Sequence, residues 1–324
     1  MIVDQTVRPR SLVSKECPVC GSRNVHEWMR APDRFHGRSD LYLLARCQNC
    51  SLVWTDDPPR PKDMGVHYSS DYDRSIAAAG ESSPDYWSGP RTTLLQYKSE
   101  GRLLDLGCST GSFLASMKGN KWDLSGIEMS RESAKKAETR SGARIFVGDV
   151  LDAPFEENHF DVVTCFHVFE HFHEPQKILK KVWTWLRPGG IFYSIVPNID
   201  SAESRIYRSY WFALELPRHL FHFSPASIRR LASANGFEEV SITTHRENFI
   251  EENVRYILED LQRKVGLTPT SLAESTEPSI PLKVIRKLVR MGIYTPLSIL
   301  GFLAGDGEII HFILKSTPSA VPQN

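Results

Sequence analysis

The chain lacks the features of a membrane-spanning, exported or nucleic-acid-binding protein. No window holds the roughly 18 apolar residues that a membrane-spanning helix needs, and the N-terminal segment has no continuous apolar stretch like that of a signal peptide. Its 39 lysine and arginine residues balance 39 aspartate and glutamate residues, so no net charge attracts a polyanion. We therefore expect a cytoplasmic protein that does not bind nucleic acid.

Cysteine is scarce, and four of the six cysteines form two C-x-x-C pairs, Cys17 with Cys20 and Cys47 with Cys50. That clustering favours a metal over disulfides. Two such turns supply the four thiolates that structural zinc prefers, and so short a segment needs a staple of this kind. We predict a zinc ribbon over residues 1–56; free thiols or a redox dithiol are the alternatives.

Composition divides the rest of the chain into three further parts. A segment rich in proline, serine and glycine at 57–95 indicates a linker and lid. Short apolar runs alternate with longer amphipathic runs over 96–250, which indicates a parallel sheet with helices on both faces, and an aromatic insertion interrupts this core at 199–223. Residues 251–324 read as a helical region followed by a final edge strand, EIIHFILKS.

The strongest motif is LLDLGCSTGSF, where a predicted strand ends and a helix begins. Asp105 closes the strand, while Gly107, Ser109 and Gly111 keep the turn small enough for its backbone to touch a ligand. The following helix directs the positive end of its dipole at the same place. This motif predicts a binding site for a small ligand.

Acidic residues also follow the next two predicted strands, at the places where those strands end. Glu128, in GIEMS, is suited to accept both hydroxyl protons of a ribose. Asp149, in VGDV, can accept a hydrogen bond from an adenine amino group, and the main chain of Val150 can meet the ring. A capping role for Asp105 and a solvated strand end at Glu128 are credible singly, but three spaced strand ends together predict a nucleoside. The G-x-G-x-x-G pattern of nicotinamide enzymes is absent.

These motifs resemble those of the class I S-adenosylmethionine-dependent methyltransferases over about residues 85–245. The matching pieces, in order, are DLGCSTG, GIEMS, VGDVLDAPF, FDVVTCFHVFEH and LRPGGIFYSIVPN. The resemblance implies a doubly wound, Rossmann-like α/β fold with a seven-stranded sheet, and S-adenosylmethionine as the methyl donor. The residues that we assign to cofactor binding are Asp105, Gly107, Ser109, Gly111, Glu128, Met129, Asp149, Val150 and His167.

Candidate catalytic residues follow the fourth strand of the core, in CFHVFEHFHEP. Methyl transfer needs chiefly an aligned acceptor and removal of its proton. The segment resembles an element of quinone-pathway O-methyltransferases, in which residues matching Glu170 and His171 are linked to metal-assisted activation of a phenol; the preceding acidic position is His167 here. His171 is either a base or a structural histidine that ties this loop to the fold.

A second candidate lies in the insertion, in LPRHLFHFS. With the cysteine segment, it is similar to sugar C-methyltransferases, which carry a histidine in an H-x-x-x-F-S setting after a glutamate. Arg218 replaces that glutamate here, which argues against carbon methylation and favours an anionic acceptor. His219 is therefore either catalytic or a structural residue that pins the insertion to the helix beginning at Ser224.

The C-terminal segment 281–304 places basic residues before an apolar stretch. It forms either a peripheral membrane contact suited to a lipid-linked acceptor or a helix pair packed on the core or on a second subunit of a homodimer.

We predict a methyltransferase that acts on a small molecule or glycan, with a sugar-type hydroxyl as the acceptor. O-methylation of a quinone or lipid-linked acceptor is the alternative enzyme function. The non-catalytic alternative is a zinc-ribbon interaction protein that keeps the methyltransferase core as a scaffold.

Overall fold

The computed structural model describes residues 14–68, 85–119, 121–247, 249–264 and 307–317. These residues form a four-stranded sheet near the N-terminus and a larger seven-stranded sheet. The segment 281–304, for which membrane or subunit contact is an expectation, lies outside the described residues. Within them, no helix is both long and apolar enough to cross a bilayer.

The small sheet is an antiparallel arrangement of β1 (Val25–Pro32), β2 (Leu41–Cys47) and β3 (Val53–Asp56). The turn between β2 and β3 carries the second cysteine pair, and β3 is buried along its whole length. A 3-10 helix follows at Pro61–His67. This sheet is the part of the chain in which we predicted the ribbon.

The large sheet is built from strands that alternate with helices, as the sequence pattern predicts. Its strands are β4 (Gly101–Leu106), β5 (Trp122–Glu128), β6 (Arg144–Val147), β7 (Phe160–Phe166), β8 (Leu186–Pro197), β10 (Phe237–His245) and β11 (Ile309–Ser316). The helices are α1 (Ser88–Tyr97), α2 (Ser112–Ser116), α3 (Arg131–Ser141), α4 (Pro175–Trp185), α5 (Ala202–Tyr207), α6 (Pro225–Ala234) and α7 (Ile250–Lys264).

The strand order of the large sheet is β10-β11-β8-β7-β4-β5-β6. The central strand β4 pairs in parallel with β5 on one side and with β7 on the other. Winding therefore reverses at β4, and this arrangement opens a crevice at the carboxyl ends of these strands. The doubly wound, seven-stranded prediction is confirmed.

Both faces of the large sheet are covered. Leu104 of β4 belongs to an apolar cluster that includes Ile178 of α4 and Leu231 of α6. Its neighbour Leu103 belongs to a second cluster with Phe113 of α2. Successive side chains of a strand point to opposite faces, so helices pack on each side of the sheet and fix the height of the strand ends.

The position predicted for the last strand was wrong. We expected β11 at an edge, but it lies between β8 and β10 and pairs with both antiparallel. Its side chains explain the difference, because Phe312 enters one apolar cluster and Ile313 the other. A strand that is apolar on both faces needs neighbours and cover on each side. The edge belongs to β10, where Glu238 and Glu239 are exposed.

A short strand in the insertion connects the two sheets. β9 (Phe221–His222) pairs antiparallel with β3 of the small sheet. The ladder extends by one bond, because the backbone N–H of Thr55 donates to the carbonyl of Leu220 at 2.8 Å. The insertion ends at α6, whose Ser224 cap accepts a bond from the backbone N–H of Ser227 as predicted. The insertion therefore belongs structurally to both sheets.

Candidate functional site

Asp105 lies near the carboxyl end of β4, in the crevice. Its carboxylate is buried and accepts a hydrogen bond of 2.7 Å from the hydroxyl of Thr164 on β7. Burial raises the pKa of Asp105 to about 7, a shift that the Thr164 bond opposes and the charge of Glu128 increases. The buried carboxyl is therefore a costly group that a cation in the crevice would stabilise.

Glu128 ends β5 beside Asp105, and two backbone groups hold its carboxylate. The N–H of Ser109 donates to one oxygen at 3.0 Å, and the N–H of Ser130 donates to the other at 2.7 Å. Charge-assisted bonds of this kind fix the orientation of a carboxylate. The glycine loop and the end of β5 are thus joined into one rigid element around Glu128.

The glycine loop, residues 107–111, needs glycine for close packing against its neighbours as well as for the approach of a ligand. Gly107 and Gly111 have φ values of +68° and +75°. A methyl group on Gly107 would lie 2.6 Å from a side-chain carbon of Val168, and one on Gly111 would lie 2.7 Å from the α-carbon of Ala137. Gly111 therefore permits α2 to approach α3, a requirement that the sequence motif does not express.

The remaining predicted cofactor residues follow the carboxyl ends of β5, β6 and β7. Asp149 is exposed, and one of its oxygens accepts a bond of 2.8 Å from the backbone N–H of Leu151. Val150 is buried, whereas Met129 is 74% exposed. His167 follows β7 with a φ of +55°, and its backbone N–H donates to the carbonyl of Ile195.

Trp87, immediately before α1, packs near the carboxyl end of β7, and sequence reasoning missed it. Its ring stacks on Phe166 at the end of β7, with 5.5 Å between centroids. Its indole N–H donates to the hydroxyl of Ser112, the first residue of α2, at 2.8 Å. An aromatic residue in a polar linker was the available signal, and the lid role of that segment stays a prediction.

A second group of functional side chains lies where the loop after β7 meets the insertion. Glu170, His171 and His219, here called the Glu170 cluster, each place one potential ligand atom within 4.8 Å of the others. Nε2 of His219 lies 3.8 Å from a carboxylate oxygen of Glu170 and 3.7 Å from one of Glu215. The two predicted catalytic segments therefore form one site.

Hydrogen bonds to backbone carbonyls define the tautomers of both cluster histidines in their neutral form. Nδ1 of His171 lies 3.1 Å from the carbonyl of Arg218, and Nδ1 of His219 lies 2.8 Å from the carbonyl of Ala213. A carbonyl only accepts, so each Nδ1 carries the proton and each Nε2 keeps its lone pair. Burial lowers the pKa of His171 to about 3 and that of His219 well below its usual range.

Glu170 is the most unusual group in the cluster. The residue is 1% exposed, and neither carboxylate oxygen has a hydrogen-bond partner among the described residues. Burial raises its pKa to about 8, and the charge of Glu215 contributes to that shift. A buried carboxyl without a partner carries a large desolvation cost.

Arg218 does not present a free charge to an acceptor. It is fully buried, lies 3.3 Å from a carboxylate oxygen of Glu215, and places its guanidinium 4.4 Å from the ring centroid of Phe35. The expected anionic acceptor thus loses its main support, because this positive charge is already paired. Position 218, next to His219 in the sequence, carries arginine and not glutamate. Glu170 and Glu215 instead place carboxylates beside His219 in the fold.

Glu215 and Tyr68 lie beside the Glu170 cluster, and the sequence did not reveal their place there. The hydroxyl of Tyr68 lies 3.2 Å from Nδ1 of His171. Glu215 stands four residues before His219, and that spacing was the only local signal. Tyr68 comes from the chain beyond the small sheet, so no motif links it to the cluster.

The four predicted metal-ligating cysteines meet at one point. All are free thiols, and their sulfurs lie within 4.8 Å of one another. The sulfurs of Cys17 and Cys50 are 3.6 Å apart, as are those of Cys20 and Cys47. Tetrahedral zinc with bonds of about 2.3 Å separates its sulfurs by about 3.8 Å. The hydrogen bond between Cys17 and Cys50 lowers the pKa of Cys17 to about 5.

Comparison with known proteins gives a consistent family. A family model described as a methyltransferase domain matches residues 81–242, which is half of the chain. A ubiquinone biosynthesis O-methyltransferase from Paraburkholderia phymatum is 32% identical over 147 residues, which cover 42% of this chain and 63% of that protein. A demethylmenaquinone methyltransferase from Lactococcus lactis is 28% identical, with 44% and 60% covered. The chain thus spans less than two-thirds of these curated relatives.

Solved structures show the same fold at low identity. A SAM-dependent methyltransferase from Archaeoglobus fulgidus has a TM-score of 0.50 at 19% identity, with 76% of this chain and all of that chain covered. Phosphoethanolamine N-methyltransferase 2 from Haemonchus contortus, in complex with S-adenosyl-L-methionine, has a TM-score of 0.51 at 19% identity, with 82% and 62% covered. At these identities the likeness concerns the fold alone.

Replacement of Gly111 by alanine should destabilise the protein more than the same change at Gly119. Both have positive φ, but a methyl group on Gly119 would meet nothing within 4 Å. Gly119→Ala should therefore cost about 1 kcal/mol, and Gly111→Ala a further ~1–3 kcal/mol from the clash with Ala137. Urea unfolding measures both free energies; equal losses would contradict the close-approach role of Gly111.

Proposed function

The chain belongs to the methyltransferase-domain family, and we propose that it transfers a methyl group from S-adenosylmethionine to a hydroxyl group of a small-molecule acceptor. The observation that carries this proposal is the carboxylate of Glu128, which the N–H groups of Ser109 and Ser130 hold beside buried Asp105. This is the polar arrangement that a ribose and a cationic methionine moiety require. The donor supplies an electrophilic methyl group when it is bound.

The protein's own residues then have separable roles on the donor side. We assign the ribose hydroxyls to Glu128, the adenine to Asp149 with Val150, and the methionine end to Asp105. Gly107, Ser109 and Gly111 form the loop beneath it, while Met129 and His167 border the crevice. Trp87, packed on Phe166, covers one side and helps to exclude water.

We assign the acceptor to the Glu170 cluster. The Nε2 lone pairs of His171 and His219 and the carboxyl of Glu170 are the groups available to bind a hydroxyl and to assist loss of its proton. The cluster borders the proposed donor site. Val168, in the same loop as Glu170 and His171, packs so close to Gly107 of the glycine loop that a side chain on Gly107 would clash with it. Tyr68, through His171, helps to position the acceptor.

Two acceptor classes are supported by different observations. The relatives named as ubiquinone biosynthesis O-methyltransferases favour a phenolic hydroxyl. The cysteine segment and the histidine of the insertion, which resemble those of sugar methyltransferases, favour a sugar-type hydroxyl. A screen of catechols against sugars and nucleotide sugars distinguishes them.

We also propose that Cys17, Cys20, Cys47 and Cys50 bind one structural zinc. The distances between their sulfurs support a tetrahedral set, and the small sheet has little apolar core of its own. All four ligands are thiolates, so they fill the tetrahedral coordination of the ion. No coordination site is left open for a substrate, and the zinc is therefore structural.

The first test is calorimetric titration with S-adenosylhomocysteine. The parent protein should bind one equivalent, and Glu128→Gln should weaken binding by roughly 10- to 100-fold, because a bond to a charged group is worth about 1.5–3 kcal/mol. Glu138→Gln, an exposed change on α3, is the matched control. No binding by the parent would sink the enzyme proposal and favour the scaffold alternative.

Asp105→Asn should stabilise the ligand-free protein at high pH. The pKa of about 7 in the folded state lies above the usual value of 3.8, so the folded protein retains a proton that the unfolded chain releases, and stability falls as the pH rises between these values. At pH 8 the variant should exceed the parent by about 1–4 kcal/mol, with little difference near pH 4. Urea unfolding at both values checks this, and a pH-independent difference would contradict the buried carboxyl.

Cys20→Ser should remove zinc from the purified protein. The parent should contain about one equivalent of zinc, measured by mass spectrometry of the metal. Cys108→Ser should keep the zinc, because Cys108 lies in the loop after β4, away from the four clustered cysteines. A metal-free parent purified without chelators would contradict the assignment.

A further inference from the structure

His222 is a buried polar residue that the proposed function leaves without a role. It lies in β9, only 1% of it is exposed, and neither ring nitrogen has a hydrogen-bond partner among the described residues. A neutral imidazole carries one N–H donor and one lone pair, and burial of either without a partner costs free energy. Most buried polar groups in native proteins have partners, so a histidine of this kind calls for a functional explanation.

The alternation of side chains along β9 shows which way His222 points. Its neighbour Phe221 belongs to the apolar cluster that also covers the large sheet, and successive side chains of a strand point to opposite faces. On the other face, His222 lies opposite Val53 of β3. Val53 belongs to a separate apolar cluster, whose other buried members, Trp211 among them, come from the small sheet and the insertion. His222 therefore points into the region between the small sheet and the insertion.

Trp211 supplies a second unpaired polar group in this region. It is a buried member of the same apolar cluster as Val53, and its indole N–H has no acceptor within the part of the chain that the structure describes. Buried tryptophans usually place this N–H against a partner, and an indole can only donate. Trp211 and His222 together thus offer two donors and one acceptor to a bound polar group.

His222 is also close to the Glu170 cluster. Its ring centroid lies 6.3 Å from that of His219, whose Nε2 we assign to the acceptor. Nδ1 of His219 bonds to the carbonyl of Ala213, and Ala213 belongs to the same apolar cluster as Trp211. One acceptor molecule can therefore contact the imidazoles of both His219 and His222.

Burial determines which kind of group His222 can bind. It lowers the pKa of His222 to about 3, so the ring is neutral near pH 7. A neutral imidazole and an indole N–H provide no countercharge for a buried ion, which would carry a large desolvation cost. A hydroxyl suits them better, because it can accept from the N–H of Trp211 and donate to the lone pair of His222. A methoxy group cannot donate, and a hydrogen atom at that position makes neither bond.

We propose that His222, with Trp211, binds a second hydroxyl of the acceptor, beside the hydroxyl that receives the methyl group at the Glu170 cluster. The acceptor is therefore a diol, and His222 is a residue that determines specificity. Phenols and sugars both include diols, so this inference selects within each of the two acceptor classes. It rests on the proposed function, because it adds a contact to the acceptor site assigned there.

Substitution of His222 separates a binding role from a structural one. His222→Phe keeps a ring and removes the unpaired nitrogens, so the equilibrium constant for unfolding of the ligand-free protein should fall at least about threefold. His222→Leu is the second variant if the larger ring is not accommodated. His67→Phe is the control, because buried His67 has a partner in Arg38, 3.1 Å from its Nδ1, and this change should destabilise. Urea unfolding measures all three, and loss of stability in both His222 variants would overturn the proposal.

Binding of small diols tests the second hydroxyl directly. The probes are catechol against phenol and cis-cyclohexane-1,2-diol against cyclohexanol, titrated into the protein saturated with S-adenosylhomocysteine and followed by ligand-observed NMR. In at least one pair the parent should bind the diol about 3- to 10-fold more tightly, the factor that one hydrogen bond gives. His222→Phe should bind both members of that pair alike, with an unchanged Kd for S-adenosylhomocysteine.

The outcomes distinguish this inference from the proposed function. Absence of a diol preference in both pairs, or a preference that His222→Phe retains, would overturn the inference alone if the parent binds S-adenosylhomocysteine. No binding of S-adenosylhomocysteine by the parent would overturn the proposed function and this inference with it.

Discussion

The pairing of β9 with β3 is the contact on which the proposed acceptor site depends. Two residues of the insertion extend the small sheet, and the adjoining bonds from Thr55 fix the backbone of His219 and Leu220. The ladder acts together with a direct bond, in which the N–H of Leu220 donates to the carbonyl of Glu170 at 2.9 Å, to fix His219 relative to Glu170 in the loop after β7. The donor side has no such dependence, because Asp105, Glu128 and the glycine loop are held within the parallel strands.

The proposed donor and acceptor sites differ in how they compensate the burial of a carboxyl group. Asp105 and Glu170 are both buried carboxyls with raised pKa values, yet Asp105 has the hydroxyl of Thr164 as a partner, whereas Glu170 has none among the described residues. A hydrogen bond offsets part of the free-energy cost of burying a carboxyl group. One without a partner stores a larger cost, which a bound group can relieve. This buried carboxyl therefore lies at the place assigned to the acceptor.

Local sequence patterns predicted the residues of the proposed methyl-donor site, but they did not predict how the residues of the proposed acceptor site come together. The strand-end acids Asp105 and Glu128 follow from a repeating strand–helix pattern, so their convergence could be predicted. The relation of Glu215 and Tyr68 to His171 and His219 depends on how an insertion folds over a separate small sheet, and no periodicity encodes that. The central place of β11 was missed for a similar reason, because it depends on which neighbours cover an apolar strand on both faces.

The shared ladder also bears on how such a protein can change through evolution. A β9 segment without its β3 partner would lose backbone bonds, and a ribbon without the insertion would expose an unpaired strand edge. Neither segment is a free-standing accessory, although about 165 residues separate β3 from β9 in the chain. Exchange of acceptor preference between relatives would therefore require that both segments be inherited as a pair, while the glycine loop could remain unchanged.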